Sequence, residues 1–100
     1  MNYNLPLGRF GETYRRILFT FSFSLVDVDI ELNIFLATNK IIEHCTIDNG
    51  KLKLNDLDDK VLIWKKHIMN LNPGTYTYRL ILTINGDRDT YVEGNLQIYG

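Results

Sequence analysis

From Val26 to Leu36 the chain alternates without a break: Val26, Val28, Ile30, Leu32, Ile34 and Leu36 fall on one side, and Asp27, Asp29, Glu31, Asn33, Phe35 and Ala37 on the other. A period of two sustained this long suits a β-strand with one buried and one solvated face, because a helix would spread the same residues around its circumference. The rest of the chain reads in the same period. Thr13 to Phe23 puts Ile17, Phe19, Phe21 and Phe23 on one face, and Ile41 to Asp48 puts Ile41, Glu43, Cys45 and Ile47 together. Lys51 to Leu54 and Val61 to Lys65 are short strands, Thr75 to Ile84 turns Tyr76, Tyr78, Leu80, Leu82 and Ile84 inward, and Thr90 to Tyr99 closes the chain. Asp48-Asn49-Gly50, Asn55 to Asp59 and Asn85-Gly86-Asp87 are turns, the last a hairpin signal at Asn85 and Gly86. Lys66 to Asn70 is expected to coil into a helical turn. Strands at this rhythm predict an all-β fold, an immunoglobulin-like antiparallel β-sandwich of about seven strands.

Residues 1–12 break the rhythm. Pro6, Gly8 and Gly11 interrupt the apolar Leu5, Leu7 and Phe10, so the segment is expected to be an N-terminal arm, mobile until a partner orders it, ahead of a sandwich domain over 13–100. Leu5, Leu7, Phe10 and the outward Phe35 are then the candidate docking surface, since a small domain rarely exposes this much apolar area without a partner.

One hundred residues make one domain with little core to spare. The 11 Lys and Arg against 12 Asp and Glu leave a net charge of -1, which gives no field to steer the chain onto nucleic acid or an anionic membrane. No apolar run approaches a membrane span, and the start lacks the layout of a signal peptide, so a cytoplasmic origin is expected. The single Cys45 has no partner for an intrachain disulfide and is expected in the core.

No catalytic, cofactor or metal site assembles from the pattern. Asp27, Asp29 and Glu31 line one strand, which spaces carboxylates roughly 7 Å apart along a line and not around an ion. Asn55 to Asp59 lacks the glycine and closing glutamate of a calcium loop, and His44, His67 and Cys45 fall short of a zinc spacing. Ser22 and Ser24 have no adjacent base, and Gly8 and Gly11 precede a strand and not a helix, so neither nucleophile nor phosphate cradle is expected. The basic pairs Arg15-Arg16 and Lys65-Lys66 read as surface charge. The chain is therefore expected not to be an enzyme.

In Leu71-Asn72-Pro73-Gly74-Thr75-Tyr76-Thr77-Tyr78 a turn leads into a strand with a tyrosine just inside it, the layout of a tyrosine corner, with Tyr76 as the corner residue and Pro73, Gly74 and Tyr78 around it. Together with Gly50-Lys51-Leu52-Lys53-Leu54, the Gly86-Asp87 hairpin and Gly94-Asn95-Leu96-Gln97-Ile98, this run resembles the immunoglobulin-like modules of virion proteins in tailed bacteriophages. Gly11-Glu12-Thr13 and the Val26 to Leu36 strand extend the resemblance more loosely into the first half. It implies a non-catalytic virion protein, assembled in the host bacterial cytoplasm, that docks in multiple copies on capsid or tail subunits and binds no nucleic acid, membrane or small-molecule cofactor. The end at Gly100 straight after the last strand favours an auxiliary (decoration) capsid protein over a baseplate or tail adaptor. A ligand- or carbohydrate-binding module for host attachment is the alternative, for which Trp64, Tyr91 and Tyr99 would have to line one face; Trp64 is expected in the core.

Overall fold

The computed structural model describes residues 1–36, 40–68 and 71–100, and none of these is helical. The strands are β1 (Gly8–Arg9), β2 (Thr13–Tyr14), β3 (Ile17–Thr20), β4 (Asp29–Leu36), β5 (Lys40–Thr46), β6 (Leu52–Leu54), β7 (Val61–Trp64), β8 (His67–Ile68), β9 (Gly74–Ile84) and β10 (Asp87–Tyr99). They form a five-stranded sheet in the order β1-β10-β9-β4-β5, a three-stranded sheet β3-β7-β6, and a short β2-β8 pair. Ile17, Phe19, Leu52, Leu62 and Trp64 from the smaller sheet share one core cluster with Leu32, Ile34, Cys45, Tyr78, Leu80, Leu82, Leu96 and Ile98 from the larger. The chain is thus all-β, with two sheets enclosing one core.

The β9–β10 hairpin follows directly from its sequence. Asn85 and Gly86 both take positive φ, 52° and 86°, as a two-residue turn matched to the strand twist requires. Ile84 and Asp87 then pair, and the ladder runs to Gly74 and Ile98 with one irregularity at Tyr91, between Thr90 and Val92. The extra residue of a bulge re-aims its own side chain, and here the Tyr91 ring turns onto Phe21 and Phe23.

Several expectations are corrected. The long alternating strand begins at Asp29, because Leu25 to Val28 closes a turn with Asp27 at φ 61°. It also pairs with β5 across an irregularity between Ile34 and Phe35, where Ile42 has no partner and β5 changes phase, so that Ile41 and Leu36 are exposed. Thr13 to Phe23 is two strands separated by Arg15-Arg16. At His67–Ile68 the expected helical turn is instead an extended pair with Thr13–Tyr14; Met69 and Asn70 lie outside the described residues, as does Ala37.

The largest correction concerns the segment read as an arm. Its β1 pairs parallel with β10, Gly8 with Ile98 and Arg9 with Tyr99, which makes the larger sheet mixed and not purely antiparallel. Prolines and glycines do not preclude a sheet edge, since an edge strand needs hydrogen bonds on one side only.

Candidate functional site

Residues 1–10 lie along the outer edge of β10 from Tyr91 to Tyr99. The Glu93 amide donates to the Met1 carbonyl, the Tyr3 amide to Glu93, the Leu5 amide to Asn95 and the Phe10 amide to Tyr99. Two core tyrosines complete the seat. The Tyr78 hydroxyl donates to the Tyr3 carbonyl at 2.5 Å, and the Tyr14 hydroxyl donates to the Pro6 carbonyl at 2.6 Å. Burial holds both phenols well above the usual tyrosine range, so each remains a donor in the folded protein. Two glycines make the close approach possible: a Cβ at Gly94 would overlap the Tyr3 carbonyl, and one at Gly8 would strike Ile98 and the Tyr14 ring.

This geometry sorts the expected docking surface. Leu5 is 6% exposed and belongs to the core, so it is not available to a partner. Phe35 is 8% exposed, and the Arg79 guanidinium lies over its ring at 5.1 Å, which withdraws it as well. Leu7 and Phe10 do remain exposed, at 60% and 48%. Phe10 lies beside Tyr99, whose ring carries Arg9 at 6.0 Å.

Seating the N-terminal segment creates a groove that the sequence did not advertise. A cavity of about 340 Å³ runs between this segment and β3, lined by Met1, Tyr3, Leu18, Phe21, Phe23 and Tyr91 among others. Met1, Tyr3 and Leu18 are exposed, while Phe21 and Phe23 pack edge to face and both meet the Tyr91 ring at a tilt, with centroids 5.5 to 6.3 Å apart. The signal lay in the phenylalanine row of Phe21 and Phe23. Its partner across the sandwich, Tyr91, arrives through a bulge that periodicity does not mark.

The Tyr76 hydroxyl donates to the Asn72 carbonyl at 2.5 Å, tying β9 to the bend before it, where Pro73 precedes Gly74, the first residue of β9. Trp64 is fully buried against Tyr14, and Tyr91 is half-buried in its ring cluster, so the aromatics a sugar platform would need do not share a face. Cys45 is buried; desolvation, then Glu43, pushes its thiol up to about 12 against the smaller opposing effects of Lys51 and a Trp64 hydrogen bond, which leaves it a poor nucleophile.

The acidic row is not a bare solvated face. Glu31 accepts from Arg88 Nη2 at 2.7 Å and Nε at 2.9 Å, and its other oxygen accepts from Asn33 Nδ2, itself 2.5 Å from His44 Nδ1 through its carbonyl oxygen. Asn33 is buried, so the network satisfies a polar group that the alternation placed on the outer face. Among the described residues no three of His, Cys, Asp and Glu converge as metal ligands. No family model, no curated protein and no solved structure matches this chain.

Proposed function

We propose that this chain is a non-catalytic immunoglobulin-like docking module, an auxiliary component of a bacteriophage particle that attaches to other virion proteins through the aromatic groove. The immunoglobulin-like reading is supported by strand order: β10, β9 and β4 follow the G-F-C order, β5 takes the place of an added C′ strand, and β3-β7-β6 follow B-E-D. The Tyr76 corner bond fits the same assignment. The observation that carries the docking reading is the exposed apolar groove of Met1, Tyr3 and Leu18 over Phe21, Phe23 and Tyr91. Aromatic rings fixed by their neighbours bring large contact area at small entropy cost, the usual anchor of a protein interface. The virion assignment rests on the sequence resemblance.

Leu18 tests the surface without touching the core, because its side chain points out from β3. In particles purified by density gradient, mass spectrometry should find the wild-type chain in many copies, and Leu18→Asp should stay folded yet be lost from the particles. A wild-type chain found only among soluble proteins would overturn the virion assignment, and particle-bound Leu18→Asp would overturn the groove.

A further inference from the structure

Two basic pairs far apart in sequence meet in the fold. β3 pairs with β7 from Ile17 opposite Trp64, and β2 pairs with β8 at Tyr14 opposite His67. Both ladders keep a single register, which sets Arg16 across from Lys65 and Arg15 across from Lys66. The strand pairing is interrupted at these residues in both segments and resumes beyond them. Like charges brought together on neighbouring strands destabilise the pairing, and the ladder is interrupted where these four cations meet.

A concavity of about 670 Å³ opens at this kink, lined by Thr13, Tyr14, Arg15, Arg16 and Lys66, with no carboxylate among the described residues of its wall. Five cations elsewhere are ion-paired: Arg9 with Glu12, Lys51 with Glu43, Lys53 with Asp56, Arg79 with Glu93 and Arg88 with Glu31. Among the described residues Arg15, Arg16 and Lys66 have no ion-pair partner, and Glu12, the nearest acid along the chain, is engaged by Arg9. We infer that this kink binds a compact phosphate chain, a di- or triphosphate group, that bridges the two strands and relieves the repulsion between them.

The ligand class follows from the spacing and the donors. Arg15, Arg16 and Lys66 share the wall of one concavity, which gathers the cations around one small anion instead of laying them out along a polymer. Two guanidinium forks supply planar bidentate donors suited to phosphate oxygens. A net charge of -1 and the absence of a basic stripe disfavour a nucleic-acid backbone. The site is separate from the aromatic groove and does not depend on the docking reading.

The test is an NMR titration of the full chain with inorganic tripolyphosphate at low salt, with thermal melts in parallel. Amide shifts concentrated at Thr13 to Arg16 and at Lys65 and Lys66, a raised Tm, and loss of both effects at high salt are the expected result. Arg16→Gln and Lys66→Gln should each weaken binding roughly two- to fivefold. Arg16→Glu should raise the Tm of the ligand-free protein, since it turns a cross-strand repulsion into an attraction. A nucleoside triphosphate bound no more tightly than tripolyphosphate assigns the site to the phosphate chain alone, and tighter binding assigns it to the nucleotide. Shifts spread equally over Lys40, Lys53 and Lys60, unchanged binding in the glutamine variants, or preference for a duplex oligonucleotide would overturn the inference.

Discussion

β10 has a different neighbour on each side, and the two pairings are encoded in different ways. On one side β9 joins it through the Asn85-Gly86 turn, antiparallel and local, so that the hairpin and its register are written in adjacent residues. On the other side residues 1–10 join it in parallel from the far end of the chain, held by the Glu93 amide and the Glu93 and Asn95 carbonyls, which are about as distant in sequence as the chain allows. The N-terminal segment carries almost no strand signal of its own. Its strand character is specified by the receiver: Gly94 clears room for the Tyr3 carbonyl, and Tyr78 and Tyr14 supply buried donors to it and to Pro6. A segment can therefore be an ordered edge strand while its own sequence reads as a loop.

The widest separation between the two sides should come from the core they share. Leu32 is fully buried on β4 and pairs with Leu80 of β9, so Leu32→Asp places an unpaired charge where the local sheet is built. The cost, several kcal/mol, is comparable with the entire stability of a small domain, and circular dichroism should report an unfolded chain. Retention of the hairpin signature in that variant would break the comparison, because it would mean the hairpin does not need the sandwich.

Gly94→Val acts on one side only. Its side chain would collide with the Tyr3 carbonyl while leaving the β9 pairing in place, and overpacking of this kind costs about 1–3 kcal/mol. The expected result is a lowered Tm with residues 1–5 released and the Asn85-Gly86 hairpin intact by NMR. An unchanged Tm would show that the segment is not seated at Gly94.

Much of the fold was legible because it is local. The inward rows of β4 and β9, the turn at Asn85-Gly86 and the Tyr76 corner all follow from residues within one or two strands of each other. What stayed hidden depends on partners elsewhere. Bulges at Ile42 and Tyr91 shift the phase of β5 and β10 without any change in apolar content, which moved Ile41 to the surface and brought Tyr91 to the groove. Phe35 looked exposed because its parity is polar; Arg79, far away in sequence but on the neighbouring strand β9 of the sheet, covers it. The groove itself could not be read from the row of Phe21 and Phe23, since one of its walls is the segment that the sequence marked as free.

Smaller changes sharpen the same contrast. Tyr78→Phe removes the hydroxyl that binds Tyr3 and should cost about 1 kcal/mol and loosen residues 1–5. Tyr76→Phe should cost about the same by removing the bond to Asn72, while leaving those residues seated. Alkaline pH offers a graded version. Tyr14 and Tyr78 titrate from 10.0 in the unfolded chain and higher in the folded one, chiefly through desolvation. Their contribution is therefore complete below pH 10 and is lost as pH rises toward the folded values, by up to about 1.4 kcal/mol per pH unit for each group. Denaturant melts across that window should show the decline, and its absence in Tyr78→Phe/Tyr14→Phe would assign it to these phenols.

The most direct measurement is native-state hydrogen exchange at the Tyr3 and Leu5 amides, which donate to Glu93 and Asn95. The account predicts that both are protected far beyond free-chain rates in the wild-type protein and exchange rapidly in Gly94→Val. Free-chain exchange of Tyr3 and Leu5 in the wild-type protein would contradict it, and residues 1–10 would then be a mobile arm after all.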